Sequence, residues 1–191
     1  EISLGLVGSE MCIRDSTHIM RPDWCPFAAT AAELCEGFAH SPIVCAGSYT
    51  PVGKLTAPDF PGWQYAADFV LVEADGSKRL PAKAHAAWEP VLPPERNRTV
   101  CVFGASALGQ PIQDAAHRPE LYASLAEVSP EAVITPAIAA RVLAKEGNFD
   151  ILFINQADVL EDPAAALQPF ADALPCPVAY GSLAEGCWAK L

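Results

Sequence analysis

Two carboxylates and a glycine follow one apolar run in this chain, and that order is typical of a site for a metal ion and an anion. Residues 69–72 (Phe-Val-Leu-Val) predict a parallel β-strand that is covered on both faces. Glu73 and Asp75, two apart, point to the same side where the strand ends. In open α/β sheets this carboxyl edge is where ligands bind. We therefore expect Asp75 to hold Mg²⁺, Glu73 to position the metal or a water, and Gly76 to let a phosphate approach the backbone.

The next residues supply the opposite charge. Ser77, Lys78 and Arg79 place a hydroxyl and two cations in a row, and Lys83 follows. Ammonium and guanidinium groups form charge-assisted hydrogen bonds with phosphate, so these side chains are candidates for phosphate binding. The alternative is a solvated loop after an ordinary strand, and the spacing alone leaves both interpretations open.

A second polar element, Asn155-Gln-Ala-Asp158, directly follows another apolar strand. It resembles the Asn-Lys-x-Asp element with which many GTPases read guanine, with Gln156 in place of the lysine. The chemistry fits, because Asp158 can accept two hydrogen bonds from the ring N–H and the exocyclic amine of guanine, and adenine lacks this donor pair. Asn155 can hold the loop and meet the base edge. The alternative is that Asn155 begins a turn and Asp158 faces solvent.

Strands and helices alternate along the chain, which predicts an α/β fold with crossover connections and a largely parallel sheet flanked by helices. Thr135-Pro136 and Asp162-Pro163 both have the form of a helix N-cap followed by proline, and Gly147 is a helix stop signal. The predicted strands are 17–20, 43–45, 67–72, 99–103, 151–154 and 178–180. The predicted helices are 27–39, 119–128, 136–146 and an alanine-rich segment from Pro163.

Four ordered motifs stand along the chain: Glu73-Ala-Asp-Gly-Ser-Lys-Arg-Leu-Pro81 with Lys83 and Glu89-Pro-Val91, Val102-Phe-Gly-Ala-Ser-Ala-Leu-Gly109, His117-Arg-Pro-Glu120 and Leu152-Phe-Ile-Asn-Gln-Ala-Asp158. Together these motifs resemble the YqeC family, the accessory proteins of selenium-dependent molybdenum hydroxylases. The likeness covers nearly everything from Thr17 onward. It implies a P-loop NTPase-like fold, a nucleotide cofactor (GTP or ATP) with Mg²⁺, and a hydroxylase or its cofactor as partner. Two positions depart from the family pattern: His85 stands where such proteins often carry proline, and Trp88 where they often carry histidine.

The first sixteen residues do not fit this resemblance. Residues 1–16 look like the translation of a sequencing adapter, and position 1 is not methionine. Taken at face value, residues 2–7 predict a short strand, but no Gly-Lys-Ser/Thr follows it. We therefore exclude residues 1–16 from the fold and expect residues 17–191 to form a single nucleotide-binding-like domain. This domain is then N-terminally incomplete, lacking the strand, glycine-rich phosphate loop and helix that the family resemblance implies.

The length, charge and cysteine content of the chain argue against several classes of protein. The chain has 191 residues, 51% of them hydrophobic, which is enough for one domain with a substantial core. The net charge of −11 argues against nucleic acid and anionic membranes as partners. No apolar run reaches the roughly 20 residues of a membrane helix, and there is no signal peptide, so we expect a cytoplasmic protein. The seven cysteines show no CxxC pair or Cys/His cluster.

Two functions of different classes remain. The first is an accessory protein that binds a purine nucleotide during hydroxylase maturation. In one version of this function the protein also hydrolyses the nucleotide, as an NTPase or GTPase. Its expected catalytic residues are Glu73 and Asp75, of which Asp75 also holds the metal. Its expected nucleotide-binding residues are Ser77, Lys78, Arg79, Asn155 and Asp158. The second is a non-catalytic chaperone or cofactor carrier that docks the apo-hydroxylase through the cationic loop. A Gly-Lys-Thr loop in the genuine upstream sequence favours the first, and its absence favours the second.

Overall fold

The described residues form two compact units, each with its own four-stranded sheet. The computed structural model describes residues 4–8, 23–49 and 55–191. The first unit takes its described residues from 1–76 and 88–92, and the second is made of 77–87 and 93–191. The chain is an α/β protein, as predicted, but the described residues contain two four-stranded sheets and two small strand pairs where one sheet was expected. The connection from the first sheet to the second contains no helix and is rich in proline, so it lacks the helical crossover that usually joins parallel neighbours.

The sheet of the first unit is entirely parallel. Its strand order is β2-β3-β1-β6, and β4 and β5 form a separate antiparallel pair. The strands of this unit are β1 (Leu4–Gly8), β2 (Phe27–Ala28), β3 (Ile43–Ala46), β4 (Ser48–Tyr49), β5 (Leu55–Thr56) and β6 (Phe69–Glu73).

β1 lies within the segment that the sequence analysis excluded from the fold. The structure pairs it with β3 on one side and with β6 on the other. This placement matches the strand that residues 2–7 predict at face value. The adapter origin of residues 1–16 stays a prediction, and the predicted strand 17–20 lies outside the described residues.

β6 was expected to be covered on both faces, and that expectation was wrong. Phe69 is 52% exposed and Leu71 is 51% exposed, whereas Val70 and Val72 are half-buried. Alternate side chains of a strand point to opposite faces, so Phe69 and Leu71 share one face of β6, and that face is the exposed one. An apolar run does not by itself show how many faces are covered.

The helix of the first unit is α1 (Ala31–His40), and it begins four residues later than predicted. Thr30 is the N-cap: its hydroxyl accepts a hydrogen bond from Glu33 N, and the Glu33 carboxylate accepts one from Thr30 N. This reciprocal capping box fixes the start of the helix. On the inner face, a Cβ added to Gly37 would lie 2.9 Å from a methyl of Val44, so the absent side chain allows α1 to approach β3 closely.

The second unit contains most of the predicted site residues, and its sheet carries the loop that begins at Asn155. Its order is β12-β11-β10-β8, with β8, β10 and β11 parallel and β12 antiparallel, and β7 pairs separately with β9. The strands are β7 (Ala82–Lys83), β8 (Val100–Gly104), β9 (Ala116–His117), β10 (Ile151–Asn155), β11 (Val178–Ser182) and β12 (Cys187–Lys190).

The helices of the second unit confirm the predicted caps. Thr135 Oγ1 accepts from Ile138 N, Asp162 Oδ1 accepts from Ala165 N, and Gly147 ends its helix with a φ of 60°. The helices are α2 (Ile112–Ala115), α3 (Pro119–Ala126), α4 (Pro136–Glu146) and α5 (Pro163–Ala173). Single turns of 3-10 helix lie at Ala105–Ala107 and Ala157–Val159.

The core of the second unit is large and continuous. Leu152 and Ile154 of β10 are fully buried against Tyr122, Leu167 and Phe170 of the surrounding helices. This packing holds the sheet in place, so the loops at its carboxyl edge start from fixed strand ends. None of the helices in the described part of the chain combines the length and apolar character that crossing a bilayer requires.

Candidate functional site

The carboxyl ends of three parallel strands form one edge of the second unit. β8 ends at Gly104, β10 at Asn155 and β11 at Ser182. Their register is direct, since Asn155 pairs with Gly104 across β10 and β8. We call this the carboxyl edge of the second unit. In open parallel sheets such an edge is the usual place for a ligand.

Asn155 ties two loops of this edge together. Its side-chain Oδ1 accepts a hydrogen bond from Leu183 N at 3.0 Å, across 28 residues of sequence. The loop that follows β10 is therefore held against the loop that follows β11. The loop-holding role predicted for Asn155 is present in the structure, and contact with a base stays a prediction.

Asp158 lies at the surface, three residues after Asn155. It lies on the single helical turn Ala157–Val159, in which Ala157 is buried and Asp158 is exposed. Within the part of the chain that the structure describes, its carboxylate makes no hydrogen bond or ion pair. Both of its oxygens are thus available to accept hydrogen bonds from a ligand.

Gln156 is held across the end of the neighbouring strand. Ser106 Oγ donates a hydrogen bond to Gln156 Oε1 at 2.7 Å. A Cβ added to Gly104 would lie 2.6 Å from that same oxygen, so only glycine leaves room for the amide. Gln156 also has a φ of 61°, the left-handed region that non-glycine residues rarely adopt.

Ser77, Lys78 and Arg79 belong to one tight turn. Leu80 N donates to Ser77 O at 3.0 Å, and the two central residues have φ values of 56° and 65°. A four-residue turn with positive φ at both central positions is of type I′, which favours Asn-Gly rather than Lys-Arg. Both cationic side chains are exposed, and no hydrogen bond or ion pair within the described residues engages the guanidinium of Arg79. We call residues 77–80 the cationic turn.

The cationic turn leads directly to the carboxyl edge. Pro81, the next residue, accepts a hydrogen bond from Gly104 N at 2.7 Å. Its Cβ lies 2.6 Å from the position of an added Gly104 Cβ, where Gln156 Oε1 is equally near. Pro81 and Gln156 therefore both pack on Gly104. The structure brings the cationic turn and the Asn155–Asp158 loop to the same end of β8.

The two predicted carboxylates lie in the first unit. Glu73 ends β6 and pairs with Gly8 at the carboxyl end of β1. β1 has β3 on one side and β6 on the other, which makes its carboxyl end the switch point of this sheet. Although part of the Glu73 side chain is exposed, burial of the rest raises its pKa, and the negative charge of Asp75 raises that pKa further. Asp75 is half-buried, and its Oδ2 is buried.

A complete protein cage for a metal ion is not found in the residues that are described. They contain no group of three or more His, Cys, Asp or Glu side chains that could hold a metal ion. Glu73 and Asp75 are two carboxylates, and Mg²⁺ is commonly bound by one or two carboxylates together with phosphate oxygens and waters. The donor set therefore fits Mg²⁺ that arrives with a nucleotide better than a permanent structural metal.

Sequence reasoning missed two residues of the carboxyl edge. Ser106 was not singled out, and Gln156 was treated only as a departure from a lysine. Their hydrogen bond joins positions 50 residues apart, so no local pattern contains it. Two local signals were available in the sequence and were not used: the glycine at 104, where the strand ends, and the polar Ser106 that follows it.

A partly buried polar pair lies elsewhere in the second unit. Glu146, at the end of α4, accepts hydrogen bonds from His85 N at 2.7 Å and pairs with His85 Nδ1 at 2.9 Å. The nearby Tyr122 is buried, and burial followed by the charge of Glu146 raises the pKa of its hydroxyl. This pair fixes the segment that follows the cationic turn, because His85 lies only four residues after Pro81. It gives His85 a structural role that sequence analysis did not predict.

Comparison with known proteins places the chain in a family. A family model described as YqeC protein matches residues 5–120, which is more than half of the chain and includes the cationic turn. A protein of Escherichia coli (strain K12) named "Uncharacterized protein YqeC" is 30% identical over 115 residues, covering 53% of this chain and 45% of that protein. The matched stretch thus spans about half the length of that relative. No solved structure matches the chain. By its sequence, this protein belongs to the YqeC family.

Proposed function

We propose that this protein binds a purine nucleotide with Mg²⁺ and acts as an accessory protein in the maturation of a selenium-dependent molybdenum hydroxylase. One observation carries the nucleotide proposal. Pro81 and Gln156 both pack on Gly104, so an exposed pair of cations and an exposed carboxylate share one edge of a parallel sheet. A nucleotide needs these two kinds of group, cations for its phosphates and hydrogen-bonding side chains for its base.

The phosphate end of the proposed site is the cationic turn. Arg79 offers a guanidinium that can form paired hydrogen bonds with phosphate oxygens, and Lys78 adds a second positive charge. The Ser77 hydroxyl is a further donor. We propose separately that Asp75 of the first unit holds Mg²⁺, since carboxylate oxygens are ligands that Mg²⁺ prefers. Glu73 would position the metal or a water.

The base end of the proposed site is the loop after β10. The two oxygens of Asp158 can accept hydrogen bonds from two adjacent N–H groups, which guanine provides. Asn155 keeps this loop in place through its bond to Leu183 N. We further propose that the protein is P-loop NTPase-like, and that the intact gene encodes a glycine-rich lysine loop ahead of Thr17. Genomic sequence upstream of the Thr17 codon tests this, and recovery of the codons for residues 1–16 would disprove the adapter origin.

The base-reading role is tested with Asp158→Asn in the protein from the intact gene. The substitution replaces one acceptor oxygen with a donor amide, which opposes a guanine N–H. We expect GTP affinity to fall by about 2–4 kcal/mol, roughly thirtyfold to a thousandfold. XTP, which has a carbonyl in place of the amine, should be tolerated better by the variant than by the wild type.

The matched control for that variant is Asp114→Asn, which changes another exposed aspartate of the same unit. Competition titrations with GTP, ATP and XTP should show no effect of the control. Equal GTP binding by the wild type and Asp158→Asn would remove Asp158 from the site. No detectable binding of any nucleotide by the wild type would refute the proposal.

The phosphate role is tested with Arg79→Ala against Arg98→Ala. Arg98 is also exposed, and its side chain bonds only to the neighbouring Asn97 carbonyl in the described structure. Because the phosphates are common to all nucleotides, Arg79→Ala should weaken GTP and ATP by the same factor, about tenfold or more. Arg98→Ala should leave both affinities unchanged. A loss that affects only one base would contradict a phosphate contact.

The second candidate is a non-catalytic chaperone or cofactor carrier that docks the apo-hydroxylase through the cationic turn. The exposure of Lys78 and Arg79 favours it, since such cations can equally pair with carboxylates of a partner protein. Co-purification of the hydroxylase in nucleotide-free buffer, lost on Arg79→Ala, would support this candidate. Docking that requires GTP would support the first. The maturation role is what the resemblance of the sequence motifs implies, and deletion of the gene should lower hydroxylase activity without lowering hydroxylase abundance.

A further inference from the structure

We infer that Gln156 is a specificity-determining residue that donates a hydrogen bond to the carbonyl at C6 of a purine, so that the site selects guanine over adenine. The inference rests on the proposed function, because it concerns the same nucleotide site. It assigns a role to the residue that stands where the Asn-Lys-x-Asp element has lysine.

The side-chain amide of Gln156 is hydrogen-bonded through its oxygen but not, within the described residues, through its nitrogen. Its Oε1 accepts the hydrogen bond from Ser106 Oγ at 2.7 Å. Within the described residues, no acceptor engages its Nε2, which carries two N–H donors. The bond from Ser106 fixes the orientation of the amide. The available donors consequently have a defined direction at the carboxyl edge.

Gln156 has a strained backbone conformation that a plain surface turn would not need, and two neighbours support it. Its φ of 61° costs a non-glycine residue conformational energy, and glycine or asparagine would suit that position better. Gly104 leaves the space that its amide occupies, and Ser106 provides the anchoring donor. Strained backbone that is supported by surrounding contacts clusters at ligand sites.

Gln156 and Asp158 lie two residues apart in the sequence. Gln156 offers hydrogen-bond donors and Asp158 offers acceptors, so together they can match a base edge that carries both kinds of group. A ligand edge that matches them carries two adjacent donors and one acceptor. Among the common bases only guanine has this set, with its 2-amine and ring N–H as donors and its C6 carbonyl as acceptor. Adenine has an amine at C6, which would oppose the Nε2 donors. The pair therefore reads the two ends of one base edge.

The test replaces Gln156 with glutamate in the protein from the intact gene. Gln156→Glu keeps an oxygen that can accept from Ser106 Oγ but removes both N–H donors. We expect affinity for GTP and for ITP to fall by the same factor, about tenfold to a hundredfold, because both carry the C6 carbonyl. Affinity for ATP should rise, because its amine can donate to the new carboxylate. Gln113→Glu, at another exposed glutamine, controls for the added charge.

The outcomes separate this inference from the function on which it rests. GTP binding by the wild type that stays within twofold in Gln156→Glu overturns the role of Gln156 and leaves the nucleotide site standing. An equal loss of GTP and ATP, with an unchanged melting temperature, also overturns it, since the residue then would not distinguish the C6 group. Failure of the wild type to bind any nucleotide refutes the proposed function and this inference together.

Discussion

Replacing Arg79 by glycine should stabilise the protein and weaken nucleotide binding at the same time. Arg79 has a φ of 65° in the type I′ cationic turn. A non-glycine residue in the left-handed region costs about 1–2 kcal/mol, which glycine avoids. Glycine also gains freedom in the unfolded chain, which offsets about 0.4–1 kcal/mol. The net stabilisation is then about 0.5–1 kcal/mol.

Thermal and chemical denaturation measure the stability term. In a chain of this size 1 kcal/mol corresponds to about 2–4 °C, so the melting temperature should rise by about 1–4 °C. The binding term is measured by calorimetric titration with GTP. Loss of a charge-assisted hydrogen bond to phosphate should reduce affinity about tenfold or more.

Arg79→Ala separates the two effects, because alanine removes the guanidinium but keeps the unfavourable φ. It should weaken binding as much as Arg79→Gly does, without raising the melting temperature. A glycine variant that is less stable than the alanine variant would refute the argument from backbone strain. Unchanged GTP affinity in both variants would refute the argument from charge.

Three further predictions concern stability alone. Glu73→Gln should stabilise the protein at neutral pH, because burial and then the charge of Asp75 raise the pKa of Glu73. The wild type therefore loses stability as the pH rises through that raised pKa, and the variant does not. The denaturation midpoints of the two proteins should converge below about pH 4.5. Gly104→Ala should lower the free energy of unfolding by about 1–3 kcal/mol, because the added Cβ would lie 2.6 Å from atoms of Pro81 and Gln156. An unchanged midpoint in urea denaturation would mean that these two residues do not pack tightly on Gly104. Glu146→Ala should cost about 1–3 kcal/mol by leaving His85 N–H groups without their acceptor, and equal stability of variant and wild type would contradict a structural role for that pair.

Features fixed by neighbouring residues were predictable from the sequence. The limits of α4 follow from Thr135-Pro136 and Gly147, which act within one turn of the helix ends. The start of α1 is an exception, because it was misplaced although its signal is local. Its capping box is local, but apolar residues before Thr30 have equally helical composition, and in the structure they form β2.

Features fixed by distant contacts were not predictable. Whether Phe69 and Leu71 are covered depends on which elements pack on β6, and no residue of that strand records this. The Ser106 bond to Gln156 and the Glu146 bonds to His85 join positions 50 and 61 residues apart. The motifs therefore located the loops of the candidate site, whereas the contacts that orient its side chains required the structure.

The bond between Asn155 and Leu183 also bears on the entropy of ligand binding. Since the loop after β10 is already fastened to the loop after β11, neither has to be ordered when a ligand arrives. The conformational entropy of the two loops is lost when the protein folds and not when a ligand binds. Binding to loops that are already ordered therefore loses less free energy to their immobilisation. A base entering here should meet a preformed surface, so association at this end should proceed without a slow closing step.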